Sequence, residues 1–284
     1  MRINAYVLVA DPSFLKASLS AYYDRVEKII LSYDRSGLSW TGTPLPIQQC
    51  LDIVAELDTD GKCVEAPGSY ARLDHDPLDN DTFQRQEALD IASDHASWVL
   101  QLDTDEVMLN QERFFAVLDH ADAAGAVGLD YPSRLLYSRS APGRYLEKCD
   151  RRWRLSASYP GPLAVKAGTD LRLARQIDGQ RYRADFRSTN TDPWGSRALR
   201  IDETVHRDDA IMHFSWVRDV EVMRRKLGWS GHAPELADPA IFDIWMWRTR
   251  HPLLATLSTP FRRKDWLRTV VVPEPPGGAP PIVA

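Results

Sequence analysis

Short apolar runs alternate with stretches of helical period along the first hundred residues of this chain. Residues 3–10 (INAYVLVA) read as a buried strand. Asp11-Pro12 then reads as an N-cap with proline at the first helical position, and Leu15, Leu19 and Tyr22 continue at helical spacing. Residues 28–33 (KIILSY) predict a second strand, closed by the loop chemistry of Asp34-Arg35-Ser36-Gly37. Ile47, Cys50, Leu51 and Val54 keep the i, i+3, i+4, i+7 spacing of an amphipathic helix. A short strand at 62–66, a polar loop at 67–80, a helix from a cap at Asn80 or Asp81 to about Asp94, and a strand at 97–102 (SWVLQL) complete the series. Such alternation predicts an α/β fold of parallel strands joined by crossover helices. Sheets of that kind bind ligands at the carboxyl ends of their strands, where Asp11, Asp34 and Asp103 all fall.

The second half is less periodic. A helix is expected over 111–124, strands at 126–131, 134–138, 151–156 and 210–216, and helices at 219–227 and 239–250. Residues 157–200 are rich in Arg, Gly and Pro and give no readable period. Residues 273–284, mostly Pro, Gly and Ala, read as a disordered tail.

Composition narrows the class. With 44% hydrophobic and 26% charged residues the chain can build a sizeable core. A net charge of −5 gives no reason to expect nucleic acid as partner, so an anionic substrate must be met by a metal or a few arginines. Cys50, Cys63 and Cys149 are odd in number and widely spaced, which argues against a disulfide framework or zinc ribbon and points to a reducing cytoplasm. No apolar run approaches the roughly 20 residues that span a bilayer. Nine Trp, five of them between Trp216 and Trp266, fit core and surface packing, with a sugar- or lipid-facing role as the alternative.

An Asp-x-Asp pair by itself says little here, because about three are expected by chance from the Asp content and four occur: Asp58/Asp60, Asp74/Asp76, Asp79/Asp81 and Asp103/Asp105. Even LDTD occurs twice. Context separates the copies. Asp58-Thr59-Asp60-Gly61 follows a helix and reads as a polar turn. Only Asp103 and Asp105 directly follow a strongly apolar strand, with Glu106 as a third acid. Carboxylates that close repel unless a cation or proton intervenes. A hard divalent cation, Mg²⁺ or Mn²⁺, prefers such oxygen ligands and bridges them to substrate phosphates, and it stabilises the charge growing on a diphosphate leaving group.

The segment Arg85-Gln86-Glu87-Ala88-Leu89-Asp90-Ile91-Ala92, followed by Trp98-Val99-Leu100-Gln101-Leu102-Asp103-Thr104-Asp105-Glu106, resembles the glycosyltransferase family 2 pattern. So do Val7-Leu8-Val9, Phe14-Leu15, Lys28-Ile29-Ile30-Leu31 and Asp34-Arg35-Ser36, so that the likeness covers about residues 3–135. The resemblance implies a GT-A fold: a Rossmann-like mixed sheet with helices on both faces and an irregular C-terminal acceptor half. It divides the chain into a nucleotide-sugar-binding half at 1–135, an acceptor half at 136–272 and the tail. It implies a metal-dependent, inverting transfer from a nucleotide diphospho-sugar to a saccharide or lipid-linked acceptor, in surface-polysaccharide assembly, in the cytoplasm or at the inner membrane face with peripheral contact.

By position in that pattern, Asp34 contacts base or ribose, Arg85 faces the nucleotide or its phosphates, Asp105 is the main metal ligand and Asp103 touches ribose or metal. His213, in an apolar strand, is either a core histidine or a third group near the metal. Arg85 is equally a solvated helix arginine, and Arg218, Arg224, Arg225 and Lys226 are either phosphate contacts or a solvated face. An inverting transfer also needs a general base. Glu147, Asp150, Asp170 and Glu203 are the candidates, unranked. Two other functions fit the acids. A nucleotidyltransferase acting on sugar phosphates lacks support from Ala10-Asp11-Pro12-Ser13, which has no Gly-rich basic loop. A non-catalytic nucleotide-binding protein remains open while the base is unassigned.

Overall fold

A computed structural model describes residues 1–196, 198–259, 266–273 and 275. The tail expected to be disordered lies outside these apart from Pro273 and Pro275. The first half runs β1 (Ile3–Leu8), α1 (Leu15–Ser20), β2 (Ile29–Asp34), α2 (Ile47–Leu57), β3 (Cys63–Gly68), α3 (Pro77–Ala92), β4 (Trp98–Leu100), β5 (Glu106–Met108), α4 (Gln111–Ala123) and β6 (Gly128–Asp130). The second half adds β7 (Ser133–Ala141), β8 (Arg144–Lys148), β9 (Ala164–Lys166), β10 (Leu171–Leu173), β11 (Gln176–Ile177), β12 (Arg181–Asp185), β13 (Glu203–Thr204) and β14 (Ile211–His213). It ends in α5 (Val220–Trp229), α6 (Pro239–Arg250), α7 (Pro252–Ser258) and β15 (Leu267–Val271).

The main sheet has the order β13-β12-β6-β9-β4-β1-β2-β3. Strands β4, β1, β2 and β3 are parallel, as the alternation predicts. Strand β9 runs antiparallel between β4 and β6, which makes the sheet mixed. Strand alternation sends Ala5, Val7, Ile29, Leu31, Trp98 and Leu100 to one face, under α1, α2 and α4. Tyr6, Leu8, Ile30 and Val99 go to the other, under Ala88, Leu89 and Ala92 of α3. Helices on both faces require strands apolar on both, which is why these runs read as continuous rather than alternating. The architecture is the α/β arrangement implied by the sequence, a mixed sheet with helices on both faces. The main sheet draws strands from both 1–135 and 136–272.

A second sheet, β15-β8-β7-β14-β5, stands at the end of β4. The chain passes from one sheet to the other through Asp103, Thr104 and Asp105, so the acidic motif is the junction between them. Three local expectations differ from the structure. Helix α1 starts after Phe14 without a side-chain cap, because the Asp11 carboxylate is held by Ser13 and Arg218. Helix α3 starts earlier than expected, capped by Asp76, whose carboxylate accepts from the Leu78 N–H at 2.8 Å. No strand forms at 151–156. Asp150 folds that stretch into a turn by accepting from the N–H groups of Arg152 and Arg154, and the strand is β8, formed by a tight hairpin at Pro142-Gly143 with Gly143 at φ 64°.

Candidate functional site

Asp11, Asp34, Arg85, Asp103, Asp105 and His213 all line one cavity of about 290 Å³ at the carboxyl ends of β1, β2 and β4. Leu38, Trp40 and Leu45 form an apolar wall, and Arg175, Lys226 and Trp229 come from the second half. The second LDTD is elsewhere. Asp58 accepts from the Tyr23 hydroxyl and from the N–H groups of Lys62 and Cys63, the polar turn its context predicts.

The acidic junction is fixed before any ligand arrives. Glu106 turns inward and is fully buried. Its Oε2 accepts from the Asp103 N–H at 2.9 Å and from Arg175 Nη1 at 2.7 Å, while Arg175 Nη2 reaches its other oxygen. Arg175 also donates to the Gln101 carbonyl at 2.7 Å. This bidentate pair locks the turn's shape, and Ser18 of α1 donates to the Glu106 carbonyl from below at 2.8 Å. The third acid of the motif is therefore structural, and Asp103 and Asp105 are left facing the cavity.

Each of those two has its own cations. Arg85 Nη2 lies 2.8 Å from Asp103 and its Nε 2.6 Å from Asp81, one turn back on α3. Arg85 is thus a buried cavity residue and not a solvated helix arginine. On Asp105, one oxygen accepts from both Arg218 Nη2 at 2.8 Å and Lys226 Nζ at 2.7 Å. Arg218 also binds Asp11 at 2.7 Å, so one buried guanidinium ties the end of β1 to the motif.

His213 reaches the same place through sheet register. It pairs directly with Glu106 across the antiparallel β14–β5 ladder, and the Phe214 N–H donates to the Asp105 carbonyl at 2.8 Å. Its Nε2 lies 3.4 Å from the free oxygen of Asp105. Its Nδ1 is buried without a hydrogen-bond partner, 3.9 Å from Glu106. At that distance Glu106, already bound by Arg175, does not hydrogen-bond the ring, which is positioned by the β14–β5 register. Among the described residues no cluster of three or more His, Cys, Asp or Glu is set to hold a metal. The residues that could meet a cation in this cavity are Asp105, through Oδ1, and His213, through Nε2.

Asp34 lines the cavity and also holds its own loop. One oxygen accepts from Ser36 N–H at 2.9 Å and the other from Tyr70 and Ala71 N–H at 2.7 and 3.0 Å, which staples the 68–71 loop to the end of β2. Of the four candidate bases, none lines the cavity. Glu147 is buried between Arg134 and Arg268, Asp150 holds its turn, Glu203 binds Arg113 and His120, and Asp170 is exposed.

The cations decide the protonation of the site. Burial pushes the Asp105 carboxyl up, but Lys226, His213 and Arg218 together hold it well below its ordinary value. Burial likewise opposes, and Arg85 and Arg175 overcome, the ionisation of Asp103, as Arg218 and Lys226 do for Asp11. A depressed carboxyl stabilises the fold fully above its ordinary value of 3.8 and loses that contribution as pH falls through its folded-state value. The thermal midpoint is therefore expected to stay level from about pH 7 to 5 and to fall below about pH 4. A midpoint already falling between pH 7 and 6 in scanning calorimetry contradicts this.

Sequence reasoning missed Arg175. It follows Ala174, at φ 48°, in a stretch without readable period. The one local signal is Gly161, at φ 149°, where a Cβ would lie 2.6 Å from Arg175 Cγ.

No family model matches this chain, and no curated protein matches it. Solved structures do. It is similar to 4-diphosphocytidyl-2C-methyl-D-erythritol synthase from Anaerococcus prevotii at 15% identity, over 58% of this chain and 70% of that one, with a TM-score of 0.32. It is similar to TarS residues 1–349 from S. aureus at 13% identity, over 59% of this chain and 47% of that one, with a TM-score of 0.35. Mannose-6-phosphate isomerase from Helicobacter pylori matches at 6% identity, over 53% of this chain and 57% of that one, with a TM-score of 0.31. The chain thus spans about half the length of the last two.

Proposed function

We propose that this chain is a glycosyltransferase that moves a sugar from a nucleoside diphosphate donor to a hydroxyl acceptor with the help of Mg²⁺ or Mn²⁺. The observation that carries the reading is the pairing of Asp105 with His213 at 3.4 Å, beside Asp103, in a cavity at the strand ends. The Leu38, Trp40 and Leu45 wall suits a nucleobase. In this reading Asp103, held by Arg85, accepts from ribose hydroxyls, and Asp34 shapes the loop beside them. Asp105 and His213 would hold the cation, which supplies charge stabilisation to the departing diphosphate. Arg218 orients Asp105, and Lys226, partly exposed, can follow the negative charge onto the phosphate.

The nucleotidyl-transfer alternative finds no phosphate cradle after β1, where Asp11 is bound to Ser13 and Arg218. The test is calorimetry with UDP and GDP, with and without Mn²⁺, followed by assay of nucleoside diphosphate release from the matching nucleotide-sugars. Binding strengthened about tenfold by Mn²⁺ is expected, a difference of about 1.4 kcal/mol. Absence of nucleotide binding under both conditions rejects the proposal. Binding with no hydrolysis or transfer on any donor and acceptor leaves a non-catalytic nucleotide-binding protein.

A further inference from the structure

The cations that meet the acids of the cavity are not held alike. Arg175 and Arg218 are buried, and each donates to a carboxylate and to a backbone carbonyl. Arg85 bridges Asp81 and Asp103. Lys226 has a single hydrogen-bond partner among the described residues. That partner is the Asp105 oxygen 2.7 Å away that Arg218 already binds, and the lysine side chain is 19% exposed.

Its helix is anchored at one end. Asp219 caps α5 by accepting from the N–H groups of Glu221 and Val222, and Met223 is buried in the cluster that holds Tyr137 and Trp245. The other end reaches the cavity, where Lys226, Trp229 and Ser230 form part of the lining. An exposed hydrogen bond, from Thr41 Oγ1 to the Gly228 carbonyl at 2.8 Å, ties that end to the loop carrying Trp40. Arg85 Nη1 and the Ser230 hydroxyl are buried donors of lining residues without an acceptor, the kind of group that a phosphate oxygen satisfies.

An ammonium and a divalent cation on one carboxylate work against each other. Like charges repel, and more strongly in a buried site than in water. The Asp105 oxygen that Lys226 holds already accepts from two donors. An ammonium is a compact charge on a flexible four-carbon stem, so Lys226 can leave the carboxylate while the clamp of Arg218 stays closed. On the reading of the site given above, we propose that Lys226 is the resident counter-ion of the ligand-free cavity: it competes with the divalent cation for Asp105 and moves to the diphosphate when the nucleotide enters. Nucleotide thereby clears the cation site, and the two ligands bind cooperatively because they share one displaceable lysine.

The test measures Mn²⁺ affinity without nucleotide by electron paramagnetic resonance, and UDP and GDP affinity without metal by calorimetry. Wild type, Lys226→Met and Arg225→Met are compared as full chains, each checked for its thermal midpoint. Arg225, exposed on the same helix, controls for a general loss of positive charge. Lys226→Met is expected to bind Mn²⁺ about tenfold more tightly than wild type and the nucleotide about tenfold more weakly, with Arg225→Met close to wild type in both. Unchanged Mn²⁺ affinity in Lys226→Met overturns the proposal alone, as does an equal gain in Arg225→Met. Unchanged nucleotide affinity in Lys226→Met overturns it too, because the lysine then never reaches the phosphate. Absence of nucleotide binding by the wild type rejects the functional reading and the proposal with it.

Discussion

Replacing Arg218 by Met is expected to lower the stability of the chain by about 3–5 kcal/mol, the usual cost of breaking a buried ion pair from one side. The guanidinium spans Asp11 and Asp105 and donates to the carbonyls of Phe214 and Val217. Without it, two buried carboxylates lose their shared partner and two carbonyls lose a donor. Methionine fills much of the volume, so the loss is electrostatic rather than a cavity effect. For a domain of this size such a change moves the thermal midpoint by roughly 10 °C. Lys226→Met makes the contrast: this lysine touches the same Asp105 oxygen but is partly exposed, and a small shift is expected. A midpoint for Arg218→Met within about 2 °C of wild type would show that the clamp contributes little.

Asp105→Asn is expected to weaken binding of the nucleoside diphosphate with Mn²⁺ by about tenfold, or about 1.4 kcal/mol, down to the affinity without Mn²⁺. The amide keeps the shape but removes the charge that a hard cation needs, and it leaves Arg218, Lys226 and His213 facing a neutral group. Asp60→Asn, in the second LDTD, is the matched control and is expected to leave nucleotide affinity unchanged, since that acid lies in an exposed turn away from the cavity. Comparing the two dissociation constants by calorimetry tests position against composition. Equal losses, or none in Asp105→Asn, would remove Asp105 from the binding site.

The parallel half of the sheet is legible because each strand is apolar on both faces and each helix keeps one stripe. Ile29, Ile30 and Leu31 are all buried for that reason. Asp103 and Asp105 are legible by position, at the end of such a strand. The rest depends on pairing across distance. Strand β5 has three residues and no period of its own, so nothing local announces that its partner β14 will set His213 opposite Glu106. Asp11 looks like a cap because Pro12 follows it, and only a buried arginine 207 residues later explains its orientation. Arg175 sits between strands of two and three residues, below the length at which any pattern can be read. The turn at Pro142-Gly143 closes the β7–β8 hairpin, so the strand forms at 144–148 and not at 151–156.

The clamp at Asp105 has a consequence for how the molecule is made. Asp11, Asp103, Asp105 and Glu106 leave the ribosome first, with Arg85 as the one cavity arginine synthesised alongside them. Arg175, Arg218 and Lys226 arrive later, in that order. Until then the rim is a concentration of like charge that resists closing, and each arriving cation removes part of the repulsion. The charge balance at the strand ends is thus complete only once residues as far as Lys226 are in place. On the function proposed above, nucleotide binding then requires both halves of the chain.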